Sequence, residues 1–229
     1  ANRPFKVPVA AQVIRTRQVG RGCDVSPSRI SQSIDECRAL FAGRDIAAVN
    51  QDVAVIAQRI ADEGHETCAH GYRWQAQHNM DEDTERDFIR RATQSIEQTT
   101  GRRPVGWLSR YLFTPETRRI LIEEGYRYHM DDFSDDKPFW DTTAKPGQPI
   151  LILPYAVDSN DMKMWTAPSL TPRLWLDYIC DTFDWLYAEG ADAPRMMSLG
   201  VHLRIIGRPG RMAAFEKFIE HAKSHGDVW

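Results

Sequence analysis

Several features that define large classes of proteins are missing from this chain of 229 residues. No apolar run approaches the roughly 20 residues that a membrane-spanning helix needs, and the first residues lack a signal-peptide pattern, so we expect neither a membrane span nor secretion. Long basic runs are also absent, and the formal net charge of -3 gives no electrostatic reason to expect a nucleic acid partner. Because repeats and low-complexity segments are lacking too, we predict a single domain over residues 1–229.

Cysteine is scarce and irregularly spaced. The four cysteines, Cys23, Cys37, Cys68 and Cys180, follow neither the spacing of a metal site nor that of a disulfide framework. We therefore expect free thiols in a cytoplasmic protein. Tryptophan, in contrast, is abundant, with seven among the 229 residues. This count indicates an aromatic-lined pocket or a subunit interface, although core packing of the tryptophans is the plainer alternative. We expect a homo-oligomer.

Strand and helix patterns alternate along the chain. Strands are predicted at Val7–Ile14, His65–Ala69, Tyr126–Met130, Ile150–Leu153 and Met196–Leu203. Helices are predicted at Ser26–Phe41, Asp52–Glu63, Asp81–Thr100, Thr114–Gly125, Thr171–Gly190 and Arg211–Lys223. A strand followed by a helix, repeated several times, indicates a parallel sheet, and the chain length favours a closed or nearly closed barrel.

His65, Glu66 and His70 have the residue types of a zinc site but the wrong spacing. A helical zinc site places its two histidines four residues apart, whereas these are five apart, which at about 100° per residue turns the imidazoles to different faces. We instead predict that a helix ends at Gly64 and a short strand delivers His70 at its carboxyl end, where α/β folds keep their chemistry. A structural histidine is the ordinary alternative.

His202 ends the apolar strand Met197–Val201 and precedes Arg204. A histidine delivered to the rim of a barrel suits general acid or base work, because its ordinary pKa lies near neutrality. The alternative is a histidine that only caps a backbone carbonyl.

Two acidic loops follow predicted strands: residues 131–136, with Asp135 and Asp136, and residues 158–161, with Asp158 and Asn160. Acidic runs are usually solvated surface. Both loops here are interleaved with large aromatics such as Tyr155, an arrangement that can bind a polar ring or hold a histidine in one tautomer. Arg110 could steer an anionic or carbonyl-bearing substrate.

Three ordered features resemble the polysaccharide deacetylase superfamily over about residues 52–229: the segment Gly64–Gly71, the pair Gly106-Trp107 before a proline-started helix, and the late strand ending in His202. The resemblance implies a distorted (β/α)7 barrel. Within the superfamily, residues 135–140, 153–162 and 201–211 are most similar to the allantoinase-like and cyclic-imide-hydrolase-like branch.

Two departures from the metal-dependent members affect the expected chemistry. Where those enzymes place a second histidine four residues after the one equivalent to His70, this chain has Trp74, which offers no lone pair to a cation. Their first-strand acid falls near Gln18, and Asp24 is only a weak substitute. A site that loses two of three ligands should not hold a metal tightly, so we expect no cofactor, with zinc or another divalent cation as the runner-up.

We therefore predict a metal-independent hydrolase of non-peptide C–N bonds that opens a cyclic amide resembling allantoin, a hydantoin or an imide. His202 is assigned to acid/base work and His70 to positioning water or the carbonyl. Asp158, with the pair Asp135-Asp136, is expected to orient the substrate or a histidine. Predicted substrate-binding residues are Trp74, Trp107, Arg110, Asp135, Asp136, Tyr155, Asn160 and Arg204. Two alternatives stay open: a metal-dependent N-deacetylase of amino-sugar polysaccharide or peptidoglycan, and a non-catalytic binding protein.

Overall fold

The structure is a computed structural model that describes residues 46–73, 75–110 and 112–228, with side chains from residue 54 onward. The predicted strand Val7–Ile14 and helix Ser26–Phe41 lie outside the described residues, as do Gln18 and Trp74. The described residues form two compact units. The first contains those up to Asp132 and Phe139–Leu153; the second contains Phe133–Pro138 and the residues from Pro154 onward. A single domain over residues 1–229 stays a prediction.

The first unit combines helices with a four-stranded sheet. Its elements are α1 (Ile46–Asp62), α2 (Glu82–Thr100), β1 (Gly106–Trp107), α3 (Thr117–Glu123), β2 (Tyr128–His129), β3 (Phe139–Asp141) and β4 (Ile150–Ile152). The sheet order is β1-β2-β4-β3, in which β1, β2 and β4 run parallel and β3 pairs antiparallel with β4. Ala69 adds an isolated parallel bridge to Trp107. Helices alternating with parallel strands confirm the α/β class.

Helix α2 shows why sequence signals identify helices well here. Asp81 caps its first turn, accepting a hydrogen bond from the Thr84 N–H at 2.9 Å, and Gly101 ends it in the left-handed region at φ 69°. Phe88, Ile89 and Ala92 are buried on one face, at helical spacing. They pack into a core that also contains buried side chains from the sheet and α3: Ala69, Trp107, Ile120, Leu121, Tyr126, Ile150 and Ile152.

The second unit is mainly helical. Its elements are a 3-10 helix (Asp161–Met164), α4 (Pro172–Glu189), α5 (Leu203–Ile206) and α6 (Pro209–Lys223). Thr171 caps α4, accepting from the Leu174 N–H at 3.2 Å, and Pro172 occupies the first turn as predicted. The core of this unit consists of Met164, Trp175, Ile179, Phe183, Ile206, Ala214 and Phe218. Within the described part of the chain, none of the helices is long and apolar enough to cross a membrane.

Of the predicted strand His65–Ala69, only the bridge at Ala69 forms. Two further predicted elements differ from the structure. No strand forms at residues 196–203, because the Ser198 and Gly200 carbonyls accept from Ser159 Oγ and the Asp161 N–H rather than from a neighbouring strand. The helix predicted from Thr114 begins instead at Thr117, because the Thr114 hydroxyl donates to a buried carboxylate, at 2.5 Å from Glu85 Oε2.

Asp141, at the end of β3, illustrates how a buried charge is held in the first unit. Burial raises the pKa of Asp141, but hydrogen bonds from the Thr143 hydroxyl, the Thr143 N–H and Arg118 outweigh it and hold the pKa at about 2. A carboxyl with a lowered pKa in the folded state contributes stability above its unfolded pKa, and this contribution is lost as the pH falls towards the folded value.

We expect Asp141→Asn to lower the free energy of unfolding at pH 7 by about 2 kcal/mol. Because the contribution comes from the ionised carboxylate, the difference from wild type should shrink as the pH falls from about 4 towards about 2. Urea unfolding at a series of pH values measures it, with the exposed Asp192→Asn as control. A difference that does not change with pH would contradict this account of Asp141.

Candidate active site

The best-organised polar group in the second unit is the pair formed by His202 and Asp161. The Asp161 side chain is fully buried, and Oδ1 lies 2.7 Å from His202 Nδ1. The other oxygen, Oδ2, accepts the His202 backbone N–H at 2.7 Å. A buried carboxylate requires such donors, since an uncompensated charge would be costly. An ionised carboxylate only accepts, so the neutral imidazole carries its proton on Nδ1 and its lone pair on Nε2.

The loop that carries Asp161 is tied to the segment that carries His202. Ser159 Oγ donates to the Ser198 carbonyl at 2.6 Å, and the Asp161 N–H donates to the Gly200 carbonyl at 2.9 Å. The Ser159 carbonyl in turn accepts from Trp175 Nε1 at 3.0 Å, which anchors the loop to the core of the unit. Several hydrogen bonds therefore fix the backbone that brings the Asp161 carboxylate and the His202 imidazole together.

Asn160 and Tyr155 pack against this arrangement. The Asn160 carbonyl oxygen accepts from the Met162 N–H at 2.8 Å and caps the 3-10 helix, while its amide donates to the Tyr155 hydroxyl. A Cβ added at Gly200 would lie 2.4 Å from that hydroxyl and 2.5 Å from the Asn160 amide nitrogen. Glycine is required at position 200 because the two side chains approach the backbone so closely.

His70 belongs to the first unit and follows the bridge between Ala69 and Trp107. Its Nδ1 lies 2.7 Å from the Leu108 carbonyl oxygen. Since a carbonyl can only accept, Nδ1 carries the proton, and the lone pair of the neutral ring is on Nε2. The predicted delivery of His70 at the end of a short β segment agrees with this geometry, although a single bridge replaces the predicted strand.

Asp131, two residues after the end of β2, organises the same edge of the sheet. Its side chain is 3% exposed, and Oδ2 accepts the Ser109 N–H at 2.6 Å. Ser109 lies between Leu108, which holds His70, and the half-buried Arg110. The carboxyl ends of parallel strands meet at one edge, which explains why residues distant in sequence converge here. Asp131 lay in a predicted acidic loop but was not singled out.

The predicted acidic residues Asp135, Asp136 and Asp158 line a cavity of about 130 Å³ together with Tyr155. Asp158, predicted as a catalytic residue, is exposed and accepts from the Tyr178 hydroxyl at 2.5 Å, a hydrogen bond that raises the pKa of Tyr178. The structure therefore corrects one assignment. The carboxylate that orients His202 is Asp161, whereas the Asp158 carboxylate accepts a hydrogen bond from Tyr178.

The remaining predicted residues have varied positions. Trp107 is completely buried in the core of the first unit, where its indole N–H contacts Gln77 and Ser109, so it packs the core rather than lining a pocket. Arg204 is exposed on the short helix α5, and Trp74 lies outside the described residues.

The sequence after His70 lacks one metal ligand that the resemblance to the deacetylases implies. Position 74 is a tryptophan, whose indole is a donor only. Among the residues that the structure describes, one group of three metal-ligating side chains has ligand atoms within 4.8 Å of one another, and it does not include His70. We therefore derive no chemical step through a metal at His70.

Comparison with known proteins agrees with the fold. The polysaccharide deacetylase family pattern matches residues 30–129. A crystal structure of a probable polysaccharide deacetylase from Pseudomonas aeruginosa PAO1 aligns with a TM-score of 0.74 and 37% identity, over 96% of this chain and 76% of the other. A crystal structure of PuuE allantoinase aligns with the same TM-score of 0.74, identity of 37% and coverages of 96% and 76%.

Two curated relatives are more distant. A putative polysaccharide deacetylase from Schizosaccharomyces pombe is 31% identical over 194 residues, which are 76% of this chain but span only 60% of that protein. A peptidoglycan deacetylase from Helicobacter pylori is 25% identical over 203 residues, or 74% of this chain and 68% of that protein.

The chain thus has the α/β fold of the polysaccharide deacetylases and belongs to that family. The resemblance inferred from sequence is confirmed, including the likeness to an allantoinase.

We expect Asp161→Asn to lower kcat by about 10²- to 10⁴-fold, because an amide can donate to Nδ1 and so favours the other tautomer of His202. The matched control is Asp192→Asn, the same substitution at an exposed aspartate of the same unit, which should leave kcat within about twofold of wild type. Steady-state kinetics on folded variants measures both. Equal losses in the two variants would refute the assignment of the orienting role to Asp161.

Proposed function

We propose that this protein hydrolyses non-peptide carbon–nitrogen bonds and opens the ring of a cyclic amide without a metal ion. The observation that carries the proposal is His202 held by the buried Asp161, with the Nε2 lone pair left for proton transfer. The likeness to PuuE allantoinase, at 37% identity over 96% of this chain, supports a cyclic ureide as the kind of substrate.

Ring opening requires a water that attacks the carbonyl carbon and an acid that protonates the departing nitrogen. In this proposal His202 Nε2 takes the proton of the attacking water and then gives it to the leaving nitrogen. Asp161 stabilises the imidazolium that exists between the two transfers, since its charge faces Nδ1–H at 2.7 Å. The carboxylate stays ionised and acts as a positioning residue.

His70 lies in the first unit, and its positioning of water or the substrate carbonyl stays a prediction. Its Nδ1–H is engaged by the Leu108 carbonyl, which fixes the orientation of the ring and the tautomer. Steering of an anionic or carbonyl-bearing substrate by Arg110 likewise stays a prediction.

The cavity beside Tyr155 supports a small substrate. It has a volume of about 130 Å³ and combines the rings of Phe133 and Tyr155 with the carboxylates of Asp135, Asp136 and Asp158. Aromatic walls suit a planar ring, and carboxylates accept hydrogen bonds from ring and ureido N–H groups. An N-acetylated polysaccharide would require a longer open groove.

The second candidate is a metal-dependent N-deacetylase acting on amino-sugar polysaccharide or peptidoglycan. The curated relatives named as polysaccharide and peptidoglycan deacetylases favour it. Trp74 opposes it, because the position of a ligand in those enzymes is filled by a side chain that cannot coordinate a cation. A cytoplasmic location, a homo-oligomeric state and a small-molecule partner complete the proposal and stay predictions.

A substrate panel separates the two candidates. Cyclic ureides and imides, together with acetylated chitooligosaccharides, are incubated with the protein in the presence of a chelator or of added zinc, and products are quantified by chromatography. We expect hydrolysis of one of the cyclic amides at a rate that the chelator leaves unchanged. Loss of the rate on chelation, with recovery on adding stoichiometric zinc, would overturn metal independence.

His202→Ala is the decisive variant in that panel, since it removes the group that transfers the proton. We expect a loss of about 10²-fold or more, whereas the exposed His78→Ala should behave as wild type. If no substrate in the panel is hydrolysed, or if His202→Ala retains the full rate, the chain is better explained as a non-catalytic binding protein.

A further inference from the structure

Three metal-ligating side chains converge on the surface of the second unit, among residues that the proposed reaction does not use. Asp184 lies near the carboxyl end of α4, His221 lies in the last turn of α6, and His225 follows that turn. One ligand atom from each lies within 4.8 Å of the other two. His221 Nε2 is already 2.6 Å from Asp184 Oδ1.

The spacing of the two histidines is that of a helical chelate. His221 and His225 are four residues apart, so their rings lie on the same side of the chain, with centroids 5.3 Å apart. The pattern that His65 and His70 fail to provide is therefore present at the other end of the sequence. Asp184 supplies a carboxylate oxygen from a second helix, which completes a His₂Asp set.

The hydrogen bonds leave the nitrogens suited to coordination. His225 Nδ1 lies 3.1 Å from the His221 carbonyl oxygen, and because a carbonyl only accepts, Nδ1 carries the proton and Nε2 carries the lone pair. Metal-binding histidines usually have their other N–H held in this way. A cation bound at His221 Nε2 would displace the proton that lies between Nε2 and Asp184. The neutral His221 ring would then carry its proton on Nδ1.

The surroundings also favour a cation. The carboxyl end of a helix carries partial negative charge from its last carbonyl groups, and both α4 and α6 end near these side chains. The His225 ring lies 4.4 Å from the Tyr187 ring and 5.1 Å from the Phe183 ring, centroid to centroid, which restricts its orientation. The Asp184 and His221 side chains are 53% and 32% exposed, so an ion could reach them from solvent.

We propose that Asp184, His221 and His225 form a binding site for a divalent transition-metal ion of the zinc type, separate from the reaction site. Imidazole nitrogens and a carboxylate suit zinc, cobalt, nickel and copper better than calcium or magnesium. Bonds of about 2.0–2.1 Å would bring the three ligand atoms closer than they lie now, a movement that exposed side chains can make. The fourth position is open to water, and the ion would link the carboxyl ends of α4 and α6.

This site changes how a metal content should be interpreted. Zinc found in the purified protein would not by itself indicate a metal-dependent reaction, because it could be bound by these three residues. Metal analysis of the variant Asp184→Asn/His221→Asn/His225→Asn separates the two sources.

Cobalt(II) provides the direct test, because its visible absorption reports coordination by nitrogen and oxygen ligands. Tag-free protein, treated with a chelator and desalted, is titrated with cobalt chloride. We expect one equivalent to produce the absorption of a four- or five-coordinate ion, and zinc to displace it. Asp184→Asn should weaken binding by about 10- to 100-fold, and His221→Asn/His225→Asn should abolish it.

His78→Asn is the matched control, since it removes an exposed histidine from the first unit and should leave the titration unchanged. The activity measured under chelation should also be unchanged in the triple variant. Binding of cobalt that survives loss of both histidines, or the absence of saturable binding in wild type, would overturn the site. Loss of activity in the triple variant would contradict the separation of the metal site from the reaction site. The cobalt titration alone would then decide whether the ion binds.

Discussion

The proposed chemistry depends on a carboxylate that has been removed from water. Asp161 is fully buried, and a buried charge persists only where donors replace its hydration. Both donors come from one residue, His202, through its backbone N–H and its Nδ1–H. The carboxylate therefore determines the position of the backbone and the tautomer of the ring at once. Ser159, Asn160 and Gly200 maintain this contact by joining the two segments that carry it.

The first unit uses the same principle at the edge of its sheet. Asp131 is buried and accepts the backbone N–H of Ser109, which follows β1. The carbonyl of the preceding residue, Leu108, orients His70. In both units a buried aspartate accepts a hydrogen bond from a backbone N–H. In both, an oxygen atom that can only accept determines which nitrogen of the histidine carries the proton. Local geometry thus fixes the ring orientation of both histidines that are proposed to act, His70 and His202.

Sequence patterns predicted the helices better than the site. The caps Asp81 and Thr171, and the apolar faces of the two long helices, are local signals, and the structure agrees with them within one residue. The apolar segment before His202 also has the alternation of a strand, because Met197, Leu199 and Val201 pack against the core. Whether such a segment joins a sheet depends on hydrogen-bond partners that are distant in sequence. Here those partners are Ser159 Oγ and the Asp161 N–H, which do not belong to a strand.

The choice between Asp158 and Asp161 could not be made from sequence, since both aspartates occupy one short loop and only the three-dimensional path of that loop decides which is buried. Asn160 was the available signal: as a cap it makes Asp161 the first residue of a helical turn. The burial of Trp107 likewise depends on long-range packing, because an aromatic residue before a turn suits a pocket wall as well as a core.

The tautomer of His202 is the most direct measure of whether Asp161 organises the site. Nitrogen-15 NMR of histidine-labelled protein distinguishes a protonated ring nitrogen from one with a lone pair. Our account predicts, at a pH where the ring is neutral, a proton on Nδ1 of His202 in the wild type and its transfer to Nε2 in Asp161→Asn. A wild-type ring protonated on Nε2, or a tautomer that the Asn substitution leaves unchanged, would contradict it.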